Sequence, residues 1–472
     1  MGTISSAFYL ITGALEADQS ALDVVANNVA NANTPGYARE VSNWNENVPV
    51  EINGVSYGTG VSQTGPTSVR DRVLEQRLAQ EQQAASGSAA RLAALDSVQA
   101  LFTPASGSSS SRAGDIGSDI TGFFNSFASL EANPTDASLR SQVLATARML
   151  AGDVSNAAAS LSEQRTSLDQ QSASITSQVN SLAGAIAQLN LEIEGNSPNR
   201  DAGSLEDERQ LDLFRLSQLI GINEVRTENN GISITTTTGE MLVSEGTSYA
   251  VSTRVANGVT GFCLGGKDIT AALTAGGGEL GGLLQARDQD IPEVLNQLDQ
   301  MAFGLSTQVN ALNNSGTDLQ GNNGTAANPL YIFAEPATVA GSAAKMSVIM
   351  TDPSQVAAAA AGQGSGDNAN AVALSALRNA GIIAGLTPSG FYSSFVTVLG
   401  ATVAQVKIES TARAASVTQL QTARNALSGV NLNDEAAFMQ QFERSYQAAS
   451  QIFAILNKIM ASAINLGQQT QV

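Results

Sequence analysis

The sequence predicts a mainly α protein with an inserted β domain: paired N- and C-terminal coiled-coil helices, an elongated α-helical bundle domain and a small antiparallel β domain. Three patterns predict this architecture. Both ends of the 472-residue chain carry apolar residues at the alternating four-three spacing of a coiled coil, and a longer run of the same spacing fills residues 139–193. A Ser/Thr-rich segment with two-residue alternation separates the helical parts.

The N-terminal pattern predicts one helix over residues 1–33, with Asp18 as the single polar interruption of its apolar row. That row comprises Ile4, Phe8, Ile11, Leu15, Leu22, Val25, Val29 and Ala32. The turn that ends the helix comprises Asn33, Pro35, Gly36 and Tyr37. Proline removes a backbone donor and glycine adopts turn conformations, so the helix cannot continue through this segment.

The C-terminal helix carries two apolar rows. The first comprises Phe442, Ser445, Ala449, Ile452, Leu456, Ile459, Ala463 and Leu466. The second, at seven-residue steps, comprises Met439, Tyr446, Phe453 and Met460. A helix with two apolar rows can pack on a partner helix and on a neighbouring subunit at once, although a closed helical bundle would also use both rows as ordinary core.

Between the two ends, the patterns divide the chain into nested domains. The expected division is 1–37 with 430–472 as a discontinuous axial domain, 38–222 with 280–429 as an elongated helical domain with short strands at 39–68, and 223–279 as a β domain that 328–352 is a candidate to join. If its apolar row lies on one unbroken helix, the helical segment at 139–193 would be about 80 Å long.

The composition argues against several classes of function. A formal charge of −19 without any basic cluster argues against nucleic-acid binding. The chain has no histidine and a single cysteine, Cys263, so it lacks the usual general base and cannot build a thiolate zinc site. We therefore expect no catalytic residue, no metal and no cofactor.

Two motifs still invite a catalytic interpretation. Residues 276–281 match the dinucleotide fingerprint GxGxxG, but no βαβ pattern surrounds them, so a flexible glycine hinge that enters a helix is the better interpretation. Glu206, Asp207 and Glu208 could supply paired carboxylates for glycoside cleavage, but they begin a predicted helix, where acidic residues favour the helix dipole. With no basic residue before Arg39 and no apolar run long enough to cross a bilayer, we expect neither a cleaved signal peptide nor a membrane span.

The turn and three further segments resemble one family. Residues 26–37 read Ala-Asn-Asn-Val-Ala-Asn-Ala-Asn-Thr-Pro-Gly-Tyr, which resembles the signature shared by the bacterial flagellar rod, hook and hook-associated proteins. The segments at 207–221, 280–299 and 429–466 resemble the hook-associated proteins that join hook to filament.

The resemblance implies a structural component of the bacterial flagellum, an adaptor that connects hook to filament through stacked terminal helices. It implies self-assembly into a ring or helical layer, with the hook protein, a second hook–filament junction protein and a cytoplasmic export chaperone on the C-terminal helix as partners. It also implies an extracellular location, reached by flagellar type III export without a cleaved signal peptide. A hook or rod protein, and an extracellular binding module carried by the β insertion, are the alternatives.

On this resemblance we expect an assembly interface along the terminal helices. It comprises Ile4, Phe8, Ile11, Leu15, Leu22, Val25, Asn27, Asn28, Val29, Asn31, Phe442, Tyr446, Ala449, Ile452, Phe453, Leu456, Ile459 and Leu466. Asparagine side chains can either cap a helix end, which we expect for Asn33, or form intersubunit hydrogen bonds, which we expect for Asn27 and Asn31. In the free monomer we expect both helices to be mobile, because isolated helices bury too little surface to offset the entropy of ordering.

Overall fold

The computed structural model describes residues 4–52, 54–103, 116–197, 200–256 and 258–469, and most of them are helical. In chain order the helices are α1 (Ile4–Ala30), α2 (Arg72–Ala100), α3 (Ile116–Ala132), α4 (Ala137–Asn196), α5 (Ser204–Leu219), α6 (Thr270–Gly276), α7 (Gly278–Gln285), α8 (Ile291–Ser315), α9 (Ser342–Lys345), α10 (Ala369–Ala376), α11 (Pro388–Ser428) and α12 (Leu432–Gln469). The strands are β1 (Glu40–Glu46), β2 (Val50–Ile52), β3 (Val55–Tyr57), β4 (Val61–Ser68), β5 (Ile222–Arg226), β6 (Ile232–Thr236), β7 (Met241–Ser244), β8 (Thr247–Ser248), β9 (Val251–Ala256), β10 (Val259–Leu264) and β11 (Lys267–Asp268).

The longest element is α4, a single unbroken helix of 60 residues. Asp136 sets its start, because the carboxylate accepts hydrogen bonds from the backbone N–H groups of Ser138 and Leu139 at 2.7 and 3.2 Å. At the usual rise the helix is about 90 Å long. The apolar row predicted at 139–193 therefore lies on one continuous helix, which packs against α3, α5 and strands β7 to β10.

A close crossing of α2 and α7 fixes the centre of the helical domain. Gly282 of α7 lies against Gly87 of α2, and a Cβ on Gly282 would overlap the Gly87 carbonyl oxygen. The turn before α7 uses Gly277 and Gly278 at φ of +85° and +72°, a conformation that glycine adopts without strain. A Cβ on Gly278 would also lie 2.5 Å from the backbone of Ile220. The GxGxxG motif thus enters a helix as expected, but the prediction of a flexible hinge is wrong because backbone packs closely around it.

The strands form antiparallel pairs in three places. Strands β1 and β4 pair along residues 40–68, with β2 and β3 pairing at the tip, so this segment forms one long hairpin. Further along, β5 to β8 form a sheet in sequential order, and β9 to β11 form a second sheet. Both of these sheets pack against α4, so the β insertion is two small sheets attached to one helix.

The segment 328–352 packs on the helices and does not join either sheet of the β insertion. An isolated bridge pairs Phe333 with Val348. Asn310 of α8 donates to the Phe333 carbonyl at 2.9 Å and accepts from the Phe333 N–H at 3.0 Å. The Phe333 ring also contacts Phe123 of α3, with 5.6 Å between ring centroids. A side-chain amide replaces a strand partner here, which explains why the expectation that this segment joins the β domain is wrong.

A π-helical turn, Ala286–Asp290, joins α7 to α8 and directs Arg287 inward. The buried guanidinium donates to Asp169 of α4 at 2.6 Å and to the carbonyl of Thr260 in β10 at 2.9 Å. It also forms a bidentate pair with Asp288, at 2.8 Å for each bond. One arginine of the 280–299 segment therefore ties the second sheet to the long helix.

One stretch of the described chain, within Pro388–Asn465, is long and apolar enough to cross a membrane by length and composition alone, with a mean hydropathy of 1.2. The expectation that no stretch is long and apolar enough to cross a bilayer is therefore wrong. A helix buried in a protein core passes the same test. Helix α11 packs on α2 and buries Phe391, Phe395 and Leu399, and Phe395 meets Phe102 at 5.0 Å between ring centroids. Because 33% of the apolar stretch is buried, intramolecular packing accounts for part of it.

Candidate assembly site at the terminal helices

Helices α1 and α12 lie antiparallel and form what we call the terminal pair. At one end the rings of Phe8 and Phe453 meet edge to face, with 5.4 Å between centroids. At the other end Asn28 is hydrogen-bonded to Glu435. Phe8 thus lies opposite Phe453, and Asn28 lies opposite Glu435, so the two helices run in opposite directions. The pairing of the chain ends that the apolar rows predicted is present.

The buried row of α1 is displaced by one residue from the predicted row. Ala17, Ala21, Val24 and Asn28 are buried, whereas the spacing of large apolar residues pointed to the positions one further along. Val25 is buried as predicted, and so is Asp18, the polar interruption of the predicted row. Small side chains allow close approach of two backbones, and this alanine spacing is the sequence signal that a count of large apolar residues misses.

The remaining predicted residues of α1 and α12 lie at or near the surface of the pair. Half-buried are Phe8, Ile11, Leu15, Leu22, Phe442, Phe453 and Leu456, while Ala449 is buried. Exposed are Val29, Tyr446, Ile452 and Ile459. Ile4 and Leu466 lie within α1 and α12, but their side chains fall outside the described part of the structure.

A polar cluster of Asn28, Tyr37, Arg39, Glu40 and Glu435 joins the terminal pair to the rest of the molecule. The Asn28 amide donates to the Glu40 carbonyl at 2.9 Å and to the Glu435 carboxylate at 3.1 Å. Its oxygen accepts from the Tyr37 hydroxyl at 2.8 Å and from the Glu40 N–H at 2.9 Å. All four hydrogen bonds that an asparagine side chain can make are therefore formed inside the protein.

Arg39 completes this cluster from the other side. Its Nε donates to Glu435 at 2.6 Å, and its guanidinium lies 5.4 Å from the centroid of the Phe438 ring. Glu435 is fully buried, and its side-chain oxygens are bonded to Arg39 and Asn28. Burial and the nearby carboxylates of Glu40, Asp207 and Glu435 raise the pKa of Tyr37, which keeps its hydroxyl protonated as a donor.

The turn itself is held by helices that lie far away in sequence. Arg424 of α11 donates to the carbonyl of Gly36 at 2.9 Å, and the N–H of Arg39 donates to the carbonyl of Ser428 at 2.9 Å. Gly36 has a φ of +86°, and a Cβ there would lie 3.3 Å from the Cβ of Leu211 in α5. The turn that the family signature encodes therefore docks between α5 and α11.

The first turn of α5 supplies acidic partners for this region. Asp207 accepts from the N–H of Ala38 at 3.3 Å and pairs with Arg70, which also contacts Glu206 at 3.2 Å. Burial raises the pKa of Asp207 to about 6, although Arg70 opposes that shift. Glu206 and Asp207 do begin a helix as expected, but their partners are arginine and backbone, contacts that sequence spacing did not indicate.

Among the asparagines of the turn, Asn31 and not Asn33 makes the hydrogen bonds that end α1. Asn31 donates to the carbonyl of Asn27 at 3.1 Å and to its side-chain oxygen at 2.7 Å, so Asn31 caps the end of α1. Asn33 is exposed, and no hydrogen bond among the described residues gives it the expected cap. Helix α1 accordingly ends at Ala30, three residues before the predicted boundary. The intersubunit role of Asn27 and Asn31 stays a prediction.

Beyond the polar cluster, the outer surface of the terminal pair is apolar and open. On α1, Tyr9 is 81% exposed, and on α12 the exposed apolar side chains include Ile455 and Ile464. The hairpin of residues 40–68 lies alongside α1, with Gly60 close to Leu10, and Trp44 meets Phe442 at 5.7 Å between ring centroids. The geometry offers apolar contact surface, and within the described residues no group of three His, Cys, Asp or Glu could hold a metal ion.

Comparison with known proteins gives two matching family models. The model described as the flagellar hook-associated protein FlgK helical domain matches residues 107–327, and the model described as the flagella basal body rod protein matches residues 8–37. The helical domain and the turn together define a structural protein of the bacterial flagellum.

Curated relatives agree over nearly the whole chain. Flagellar hook-associated protein 1 of Salmonella typhimurium is 25% identical and that of Escherichia coli 24% identical, each alignment covering 96% of this chain and 98% of the relative. The Bacillus subtilis protein of the same name is 26% identical, with 96% of both chains covered. Over nearly its whole length the chain is therefore similar to flagellar hook-associated protein 1, a structural protein of the flagellum and not an enzyme, which agrees with the expectation that it has no catalytic site.

A solved structure supports the fold. The structure of the flagellar hook junction protein FlgK from Burkholderia pseudomallei superposes with a TM-score of 0.65, covering 75% of this chain and 100% of that one at 19% identity. The predicted architecture of long terminal helices, a helical domain and a small β insertion is therefore confirmed. The family also places the protein in the flagellum, in assembly with other flagellar components.

Proposed function

We propose that this protein connects the flagellar hook to the filament, and that the terminal pair is the part that enters the assembled axis. The open apolar surface of that pair is the observation that carries the proposal. Large exposed apolar surfaces on a soluble subunit usually mark sites of protein contact. Here they lie on the two helices that the polar cluster fixes to the rest of the chain, so contacts made by the pair also position the helical domain.

The specific partners belong to this proposal. Copies of this chain would form a ring or helical layer, with the hook protein on one side and a second hook–filament junction protein on the other. The division into an axial domain, a helical domain and a β insertion gives each part a place, with the terminal pair inside and the sheets outside. The match of residues 107–327 to a hook-associated helical domain favours this function over a hook or rod protein, since residues 8–37 alone match a rod-protein model.

The route to this location also belongs to the proposal. Export would proceed through the flagellar type III apparatus without a cleaved signal peptide. Before export, Ile455 and Ile459 of α12 would be exposed to water, and a cytoplasmic chaperone that covers α12 would prevent aggregation.

The first test is deletion of the gene, followed by electron microscopy of the cells and an assay of flagellin in the medium. Completed hooks without filaments, with flagellin released, are expected. Missing hooks would instead indicate a hook or rod protein, and normal flagella would contradict the proposal.

Complementation with matched variants tests the contact surface. Ile459→Glu places a charge on the exposed face of α12, whereas Ile349→Glu places one on a similarly exposed isoleucine of the helical domain. We expect Ile459→Glu to fail to restore filaments and Ile349→Glu to restore them. Equal restoration by both variants would remove the terminal pair from the assembly interface.

A further inference from the structure

The apolar rows of the terminal pair do not by themselves fix which residues face each other. Phe8 faces Phe453, but α12 carries Tyr446 and Met460 one heptad to either side. Sliding α1 outward by seven residues, about 10 Å, would set Phe8 against Met460 and keep apolar groups in contact. Between α1 and α12 themselves, this contact is therefore apolar in both registers.

The connections of the pair also permit this shift. Helix α1 ends at Ala30, and the next residue held by the helical domain is Gly36, whose carbonyl is bonded to Arg424. The five residues between them can span roughly 17 Å when extended. The chain is therefore long enough for α1 to move outward by two helical turns if residues 31–35 extend while Gly36 stays bonded to Arg424.

The hydrogen bond between Asn28 and Glu435 distinguishes the two registers. Asn28 is 1% exposed and Glu435 is fully buried, and the bond between them is 3.1 Å long. In the shifted register Asn28 would face Phe442, and its amide would lose Glu435, Tyr37 and Glu40 together. Buried polar groups without partners are strongly disfavoured, so one directional bond can exclude an arrangement that apolar packing allows.

We propose that Asn28 and Glu435 together select the register of the terminal pair. A single buried polar contact sets register in the same way in coiled coils, at some cost in stability. The register decides which α12 side chains stand beside Tyr9, and so it determines the composition of the outer surface. This inference concerns the isolated chain and does not depend on the proposed function.

Disulfide trapping in the purified protein measures the register directly. In a Cys263→Ala background, Phe8→Cys is combined either with Phe453→Cys, which reports the observed register, or with Met460→Cys, which reports the shifted one. With Glu435 present we expect the first pair to cross-link in excess over the second by about tenfold or more, the factor that a hydrogen bond to a charged group supplies.

Two substitutions at Glu435 separate register selection from general stability. Glu435→Leu puts an apolar side chain in place of the carboxylate and removes one bond, while Asn28 keeps its bonds to Tyr37 and Glu40, so the excess of the first cysteine pair over the second should fall by about tenfold. Glu435→Gln still accepts from Asn28 and should retain the full excess. An unchanged excess in Glu435→Leu would overturn the proposal.

A relocated partner provides a test that does not rely on loss of function. Glu435→Leu combined with Phe442→Glu moves the carboxylate by one heptad, so the Met460→Cys pair should gain at least about tenfold in cross-linking relative to the Phe453→Cys pair, compared with Glu435→Leu alone. Trp44→Leu, which removes the aromatic contact to Phe442, serves as the control and should keep the observed register. A register lost in Trp44→Leu, or unchanged by the relocated carboxylate, would also overturn the proposal.

Discussion

The carboxylate of Asp207 in α5 accepts a hydrogen bond from the backbone N–H of Ala38, a residue 169 positions earlier in the chain. This bond places an ionisable group at the point where the terminal pair joins the helical domain. Asp207 also pairs with Arg70, so its charge state affects two contacts of the turn. The attachment of α1 to the helical domain is therefore sensitive to protonation.

The raised pKa of Asp207 predicts how it contributes to stability as pH changes. A carboxyl group whose pKa rises from 3.8 to about 6 on folding binds its proton more tightly in the folded chain. Its contribution is fully present below about pH 4 and is lost as pH rises through about 6. We expect the difference in free energy of unfolding between the wild type and Asp207→Asn to fall over this interval.

Urea unfolding of both proteins at pH 4, 5, 6 and 7 measures that difference. The subtraction removes most of the contribution of other groups, including Glu75, whose pKa burial also raises. A difference that stays constant, or that grows with pH, would contradict the prediction.

The α2–α7 crossing predicts opposite effects for two glycine substitutions. Gly282→Ala would place a methyl group on the carbonyl of Gly87, so we expect a loss of about 3 kcal/mol or more in the free energy of unfolding. Gly184→Ala lies on α4 with no neighbouring atom within 4 Å of the new Cβ, so the better helix former should stabilise by about 0.5–1 kcal/mol. Chemical unfolding measures both, and effects of the same sign would contradict the packing described.

The buried contacts of Arg287 predict that losing its ion pairs lowers the free energy of unfolding more than losing an exposed ion pair does. Arg287→Met leaves Asp169 and Asp288 without their guanidinium partner, and we expect a loss of about 3–5 kcal/mol. Arg287→Lys should recover little, because an ammonium cannot reproduce the bidentate geometry. The control is Arg254→Met, which removes an exposed 3.7 Å pair with Asp268 and should cost less than about 1 kcal/mol.

The asparagines of the turn should separate into structural and assembly roles. Asn28→Ala removes four buried hydrogen bonds and should lower the free energy of unfolding by about 2–4 kcal/mol. The double variant Asn27→Ala and Asn31→Ala should change it by less than about 1 kcal/mol, because Asn27 is exposed and Asn31 is only half-buried. We expect the double variant to be incorporated poorly into flagella despite normal stability. Incorporation at the wild-type level would exclude the intersubunit role.

The terminal pair should be the least protected part of the free monomer. Few residues of α12 are buried, Glu435 and Ala449 among them, whereas α4 buries side chains along its whole length. Hydrogen exchange should therefore be at least about 100-fold faster in residues 4–30 and 432–469 than in α4. Equal protection of the three helices in a dilute monomer would show that the pair is stable before assembly.

Helical periodicity predicted the main helices, because a helix that buries one face needs apolar residues at helical spacing along that face. The row at 139–193 gave α4 without a break, and the apolar spacing at both ends gave α1 and α12. The same reasoning displaced the buried row of α1 by one residue, because it counted large side chains and ignored Ala17 and Ala21.

Contacts between distant segments could not be predicted from local pattern. Asn28 and Glu435 are 407 residues apart, and nothing in the spacing near either one indicates the other. Likewise, the side chain of Asn310 bonds the backbone of Phe333 as a strand partner would, so the segment 328–352 packs on α8 and does not join the β domain. Family resemblance located the turn but did not show which asparagine is buried.

Because α4 is one unbroken helix, a change in its length also changes the direction in which its later side chains point. Each inserted or deleted residue would rotate everything after it by about 100° and turn the strands it supports away from their partners. A change of seven residues returns the later side chains to within about 20° of their original direction. Only such steps keep the contacts at both ends of the helix. Variation in chain length among homologous proteins should therefore be concentrated in the loops and the β insertion, with α4 changing only by whole pairs of turns.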